Sequence, residues 1–145
     1  MAYPQHIYVM VDAVVFTYQQ EELQVLLIER KSDPYKGKWA LPGGFVEDDE
    51  SLDTAVYREL QEETGIRADH LQQFHTFGEP GRDPRGRAVS VAYFTKVNKD
   101  AVSPRADTDA ARVDWFSVNA LPDLAFDHAD ILAKAEEVFL KIANK

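Results

Sequence analysis

The segment RELQEETG, Arg58 to Gly65, sets one guanidinium beside three carboxylates, Glu59, Glu62 and Glu63, directly before a glycine. Side chains three and four residues apart meet on a helix, so these carboxylates can converge on one point. Stepping around the helix from Leu52 at about 100° per residue puts Val56 at roughly 40° and Leu60 at roughly 80°, which marks an apolar stripe. On the same count Glu59 falls at roughly −20°, Glu63 at roughly 20° and Glu62 at roughly −80°. Two of the carboxylates therefore lie within or beside the stripe, while Asp53, Thr54, Tyr57 and Gln61 take the opposite face. A carboxylate withdrawn from water needs a partner, and Arg58 alone cannot neutralise three. A solvated, salt-bridged face fits this arrangement poorly. A divalent cation fits it well, and an all-oxygen ligand set selects Mg2+ or Mn2+ rather than zinc. Such an ion retains waters and accepts a phosphate oxygen.

The preceding loop contributes a second element. LPGG, Leu41 to Gly44, has two glycines where a tight turn lets backbone approach a ligand. The Gly43 carbonyl is a candidate ligand for the same cation, although either glycine taken alone reads equally as a chain reversal. Glu50, at the mouth of the helix, is either a partner for the helix dipole or an acceptor that holds Arg58.

Those residues must be carried by surrounding elements. SLDTAVYRELQEETG reads as a helix with Ser51 as N-cap, Asp53 in the first turn and Gly65 just past the end. IYVMVDAVVFTY, apolar on both faces, reads as a strand buried between layers, and LQVLLIERK as its hairpin partner across the turn QQEE. A short strand is expected near Trp39 to Leu41, and further strands at LQQFHTFG, AVSVAYFTKV and ARVDWFSV. Asp127 can cap a final helix whose stripe is Ile131, Leu132, Ala135, Val138, Phe139 and Ile142. This order predicts an α/β fold, a mixed sheet covered by helices on both sides, in a single domain over residues 1–145.

Composition narrows the chemistry. With 45% hydrophobic and 28% charged residues the chain reads as an ordinary globular protein. It has no cysteine, which excludes disulfides, thiolate metal sites and cysteine nucleophiles. Sixteen basic against 25 acidic residues give a net charge of −9, which argues against a nucleic-acid partner. Cations between carboxylates and phosphates still permit a small phosphorylated ligand. The absence of a membrane-length apolar run or a secretion-type start makes a cytoplasmic protein with no membrane partner the default.

The stretch Gly44 to Ile66 resembles the Nudix box, G-x5-E-x7-R-E-U-x-E-E-x-G-U with U aliphatic. Gly44, Glu50, Arg58, Glu59, Leu60, Glu62, Glu63, Gly65 and Ile66 fill every defined position. That family hydrolyses nucleoside diphosphates linked to another group and folds as an α/β/α sandwich. The resemblance implies metal ligands at Glu59, Glu62 and Glu63, with help from the Gly43 carbonyl. It further implies that Arg58 orients a glutamate and that Glu50 supports the set. The general base varies in the family, being a box glutamate or an acid from a distant loop. Asp107 and Asp109 are the outside candidates, although loop aspartates more often cap a turn.

Substrate choice belongs to the loops. FGEPGRDPRGRAVSVAYF carries Arg82, Arg85 and Arg87 in a glycine- and proline-rich loop, where arginine forks suit phosphate and ribose oxygens. With VDAVVF, KGKWALPGGFVE and LAFDHADIL, this loop resembles the ADP-ribose pyrophosphatase-like branch of the family. The likeness implies cleavage of ADP-ribose to AMP and ribose 5-phosphate, and a homodimer. The alternatives are other NDP-sugars, dinucleotides or nucleoside triphosphates. The likeness also extends to transcriptional regulators of NAD metabolism that sense ADP-ribose and carry a C-terminal winged helix. The chain's end at Lys145 gives the expectation that no such domain follows, and the complete box favours hydrolysis over sensing. Arg30 and Lys31 end a strand near the site, where they either touch phosphate or simply solubilise an edge. Asp12 lies in an apolar strand and needs a partner the sequence does not name. His75 and His128 read as structural, and Tyr18, Tyr35 and Phe77 are candidates for stacking on adenine.

Overall fold

The computed structural model describes residues 4–106 and 110–143. β1 (Tyr8–Gln19) and β2 (Glu22–Arg30) form the expected antiparallel hairpin, in register from Phe16↔Val25 to Gln19↔Glu22. β1 also runs parallel to β6 (Ala88–Lys96), from Tyr8↔Ala88 to Phe16↔Lys96. β5 (Gln72–Phe77) lies antiparallel on β6, and β7 (Ala110–Ser117) antiparallel on β2. The sheet is therefore mixed. The parallel pairing of β1 with β6 brings together segments far apart in the chain, and nothing in the local pattern announces it.

The sheet is covered on both faces, as an α/β/α sandwich. Alternation along β1 explains why it is apolar throughout. Val11, Ala13 and Val15 pack with Ala55, Val56 and Leu60 of α1 (Leu52–Thr64), while Val14 and Phe16 pack with Ile131, Leu132, Ala135 and Phe139 of α2 (His128–Ala143). Ser51 caps α1 by accepting from the Thr54 amide, and Gly65 ends it at φ 76°, donating its N–H to Gln61. Ile142, expected in the stripe of α2, is 45% exposed because it lies in the last turn, beyond the core residue Phe139.

The feature that makes a site is a split in the sheet. β1 and β2 pair only near their shared turn. Further along, β1 takes β4 (Gly43–Phe45), in register Met10↔Phe45, Val11↔Gly44 and Asp12↔Gly43, while β2 takes β3 (Trp39–Ala40). The segment WALPGGF thus fills the gap between two splayed strands, with α1 on one face and the start of α2 on the other. β4 was not expected, since a three-residue strand with two glycines has no periodicity to read. Its tightness is real: a Cβ on Gly43 would fall 2.2 Å from the Val11 carbonyl oxygen.

Candidate active site

Arg58 organises the carboxylate wall. Its Nε and Nη2 donate to the two Glu50 oxygens at 2.9 and 2.6 Å, Nη1 donates to Glu59 at 2.8 Å and Glu62 at 3.1 Å, and Nη2 also reaches the Phe45 carbonyl at 3.1 Å. Of the two readings open for Glu50, the one in which it holds Arg58 describes this geometry. The Arg58 fork and the Glu47 amide together pull the Glu50 pKa down to about 2, and the bonds to Glu50 and Glu59 raise that of Arg58.

The helical count places Glu63 and Glu59 correctly. Glu63 is buried, and its Oε2 accepts the Gly43 N–H at 2.9 Å. The expectation for Gly43 concerned its carbonyl as a cation ligand; the bond the structure adds is from its amide, to Glu63. Glu59 lies against Gly44 so closely that an added Cβ would sit 2.7 Å from its Oε2. Glu62 differs, being 47% exposed beside Arg58 and lying outside the cavity that Glu59 and Glu63 line. Its angle on the helix carries it past the edge of the buried stripe.

That cavity, about 420 Å³, occupies the split between β1 and β2. Its opposite wall comes from the α2 side of the sheet and holds Asp12, Ser90, Arg82 and His128. Asp12 is buried, its Oδ1 lies 3.6 Å from His128 Nε2, and its Oδ2 has no hydrogen-bond partner. Burial pushes the Asp12 carboxyl up, against the pull of His128 and Arg82. Burial likewise pushes the His128 imidazole down, keeping Nδ1 able to accept the Leu41 N–H at 3.0 Å. Asp12, by its polarity in an apolar strand, and Arg82, by its place in the arginine loop, were the sequence signals for this wall, and His128 was read as structural; Ser90 and Asp83 gave none.

The arginines separate into different roles. Arg82, expected at the substrate, is only 4% exposed and makes a fork to Asp127 at 2.9 and 2.7 Å, with Nη1 on Ser90 at 2.9 Å. It lines the cavity as a tie between the 78–87 loop and α2. Arg85, 30% exposed, pairs with the buried Asp83 and lies over the Phe45 and Phe126 rings at 4.8 and 5.4 Å. Burial raises the Asp83 carboxyl, but its bonds from Arg85 outweigh this and leave it lowered. Arg30 donates to the Pro34 carbonyl at 2.6 Å and lies 5.0 Å from the Phe126 ring centre, also on the cavity. Arg87, by contrast, turns to the Gly78 carbonyl and does not line the cavity. Neither do Tyr18, Tyr35 and Phe77; Tyr35 packs its edge on Phe126. Asp107 and Asp109 lie outside the described residues.

Among the described residues, no three carboxylate or histidine side chains form a ready-made cation cage. Magnesium does not require one, since it is commonly held by one or two carboxylates plus waters and substrate phosphates. Glu59 and Glu63, two oxygen donors on one cavity wall, fit that description. Among the described residues, no helix is long and apolar enough to cross a membrane.

An acidic helix, tied by Glu63 to the Gly43 amide and by Arg58 to Glu50 and the Phe45 carbonyl, is thus set into a split mixed sheet between two helical layers. The chain matches the NUDIX domain over residues 9–135 and belongs to that family. It is 39% identical over 127 residues to the ADP-ribose pyrophosphatase of Methanocaldococcus jannaschii, covering 88% of this chain and 72% of that protein. It is 42% identical over 139 residues to the ADPR responsive transcriptional repressor NtrR of Acinetobacter baylyi, covering 93% of this chain but only 54% of the repressor's length. Among solved structures, the NUDIX domain of Shewanella oneidensis NrtR complexed with ADP ribose superposes with a TM-score of 0.84 at 34% identity, covering 93% of this chain and 90% of that one. A MutT/nudix family protein from Enterococcus faecalis gives 0.87 at 34% identity, covering 100% of this chain and 65% of that one.

Proposed function

We propose that the protein hydrolyses the pyrophosphate bond of a nucleoside diphosphate linked to a second group, with ADP-ribose the leading substrate and AMP and ribose 5-phosphate the products. The observation that carries this reading is the two-sided cavity: Glu59 and Glu63 on one wall, Arg30 and Arg85 at its rim. Carboxylates suit a cation-bridged diphosphate, and guanidinium forks suit its remaining oxygens. Likeness to the Methanocaldococcus pyrophosphatase supports the choice of ADP-ribose.

In this reading Glu59 and Glu63 hold Mg2+, with Mn2+ as the alternative. A divalent cation at such a site supplies charge neutralisation on phosphate oxygens and a lower pKa for the attacking water. The chain's own residues do the rest. Arg58 fixes Glu59 against Gly44, Gly43 fixes Glu63, and Arg85 and Arg30 orient the diphosphate. Water attacks one phosphorus, one P–O bond of the bridge breaks, and each product leaves with a phosphate.

A second reading is a non-catalytic ADP-ribose sensor, favoured by the 42% identity to NtrR. One experiment separates the two. The protein is incubated with Mg2+ and a panel of ADP-ribose, other NDP-sugars, dinucleotides and nucleoside triphosphates, and the products are analysed. AMP released from ADP-ribose and abolished by chelator supports the hydrolase. Tight ADP-ribose binding without turnover of any panel member supports the sensor.

A further inference from the structure

Two amides of one short segment are held by helices on opposite faces of the sheet. Leu41 N–H donates to His128 Nδ1 at 3.0 Å, at the start of α2. Gly43 N–H donates to Glu63 Oε2 at 2.9 Å, near the end of α1. Pro42 stands between them with a fixed φ and no N–H of its own, and its carbonyl accepts the Ala13 amide at 2.8 Å. The segment has little freedom to yield: the Leu41 side chain is buried, and Gly43 sits directly on the β1 backbone. His128 is equally constrained. Its backbone N–H donates to Ala125 at 3.1 Å, and its neighbour Asp127 is gripped by the buried Arg82 fork.

We propose that His128 is a positioning residue for Glu63, acting through the Leu41–Pro42–Gly43 backbone and not through the substrate. Without an acceptor at Nδ1, a buried Leu41 amide is left unpaired, and the segment relieves that cost by shifting. The shift is passed to Gly43 and hence to the Glu63 carboxylate on the far side of the sheet. His128 Nε2, 3.6 Å from Asp12, lies beyond hydrogen-bond distance, so the Leu41 bond is the contact that matters.

The role of Glu63 in turnover rests on the proposed hydrolase reading, so the test has a readout independent of it. His128→Asn offers an acceptor where Nδ1 stood, His128→Gln places its amide near the Nε2 position, and His128→Phe offers neither. Amide hydrogen exchange of the whole chain, without metal or ligand, should show Leu41 and Gly43 losing protection together in the Gln and Phe variants and keeping it in the Asn variant. Core amides such as Val15 serve as the folding control, and if the Phe variant fails to fold, Gln against Asn carries the comparison. With Mg2+ and ADP-ribose, kcat should fall about tenfold or more in the Gln variant with KM little changed, and recover in the Asn variant. Gly43 protection unchanged in the Gln variant overturns the proposal. A wild-type chain without turnover overturns the hydrolase reading alone, and the exchange result still decides the role of His128.

Discussion

Arg58 and Glu50, eight residues apart, are joined by two parallel bonds, Nε to Oε2 at 2.9 Å and Nη2 to Oε1 at 2.6 Å. This fork ties the loop before α1 to the helix's second turn and leaves Nη1 to hold Glu59 and Glu62. Glu59 and Glu62 are therefore oriented by a cation whose own position is set by an acid outside the helix.

The pH dependence of stability follows from that fork. Glu50 titrates at about 2 in the fold, against an ordinary 4.5. A depressed folded pKa means the stabilisation is fully present above the ordinary value and disappears as pH falls towards the folded one. Glu50→Gln should lower the Tm at neutral pH, and the gap to wild type should close between about pH 4.5 and about pH 2. Thermal melts across that range check it; a gap independent of pH would contradict the assignment.

The two adjacent glycines should fail in different ways. A Cβ on Gly43 meets backbone at 2.2 Å, whereas one on Gly44 meets the movable Glu59 carboxylate at 2.7 Å. Gly43→Ala should lower the Tm sharply. Gly44→Ala should keep most of the Tm but push Glu59 off the cavity wall and depress turnover. Melting curves beside the ADP-ribose assay test both at once.

Glu63→Gln keeps an oxygen for the Gly43 amide and removes the charge. Folding should survive, the Mg2+ concentration for half-maximal activity should rise, and turnover should drop by about 100-fold or more. Near-normal rates in the variant would remove Glu63 from the set of proposed ligands.

Arg82 and Arg85 should separate cleanly. Breaking a buried ion pair by deleting one partner costs about 3–5 kcal/mol, and Arg82 is buried against Asp127. Arg82→Ala should thus appear first in denaturant melts. Arg85→Lys keeps a charge for Asp83 but loses the fork and the flat face over Phe45. Its KM for ADP-ribose should rise several-fold with little change in stability. An unchanged KM would leave Arg85 as a loop brace.

Much of this was legible in the chain itself. The helix from Ser51 to Gly65, its caps, and the inward angle of Glu59 and Glu63 all follow from local geometry, because residues three and four apart meet whatever surrounds them. The two-sided burial of β1 was readable from a run that is apolar on both alternating faces apart from Asp12. The arginine loop was not, since spacing cannot distinguish the buried Arg82 from Arg85 at the rim or Arg87 turned towards Gly78.

The sequence by itself determined the carboxylate helix, its glycine turn and the family to which they belong. Only the tertiary structure decided what stands opposite. Leu41 meets His128 across 87 residues of chain, and Arg82 meets Asp127 across 45. Such contacts exist because β1 splits from β2 and lets both helical layers reach one cavity. No periodicity records that arrangement, since it depends on which strands pair and in what register rather than on the order of neighbours.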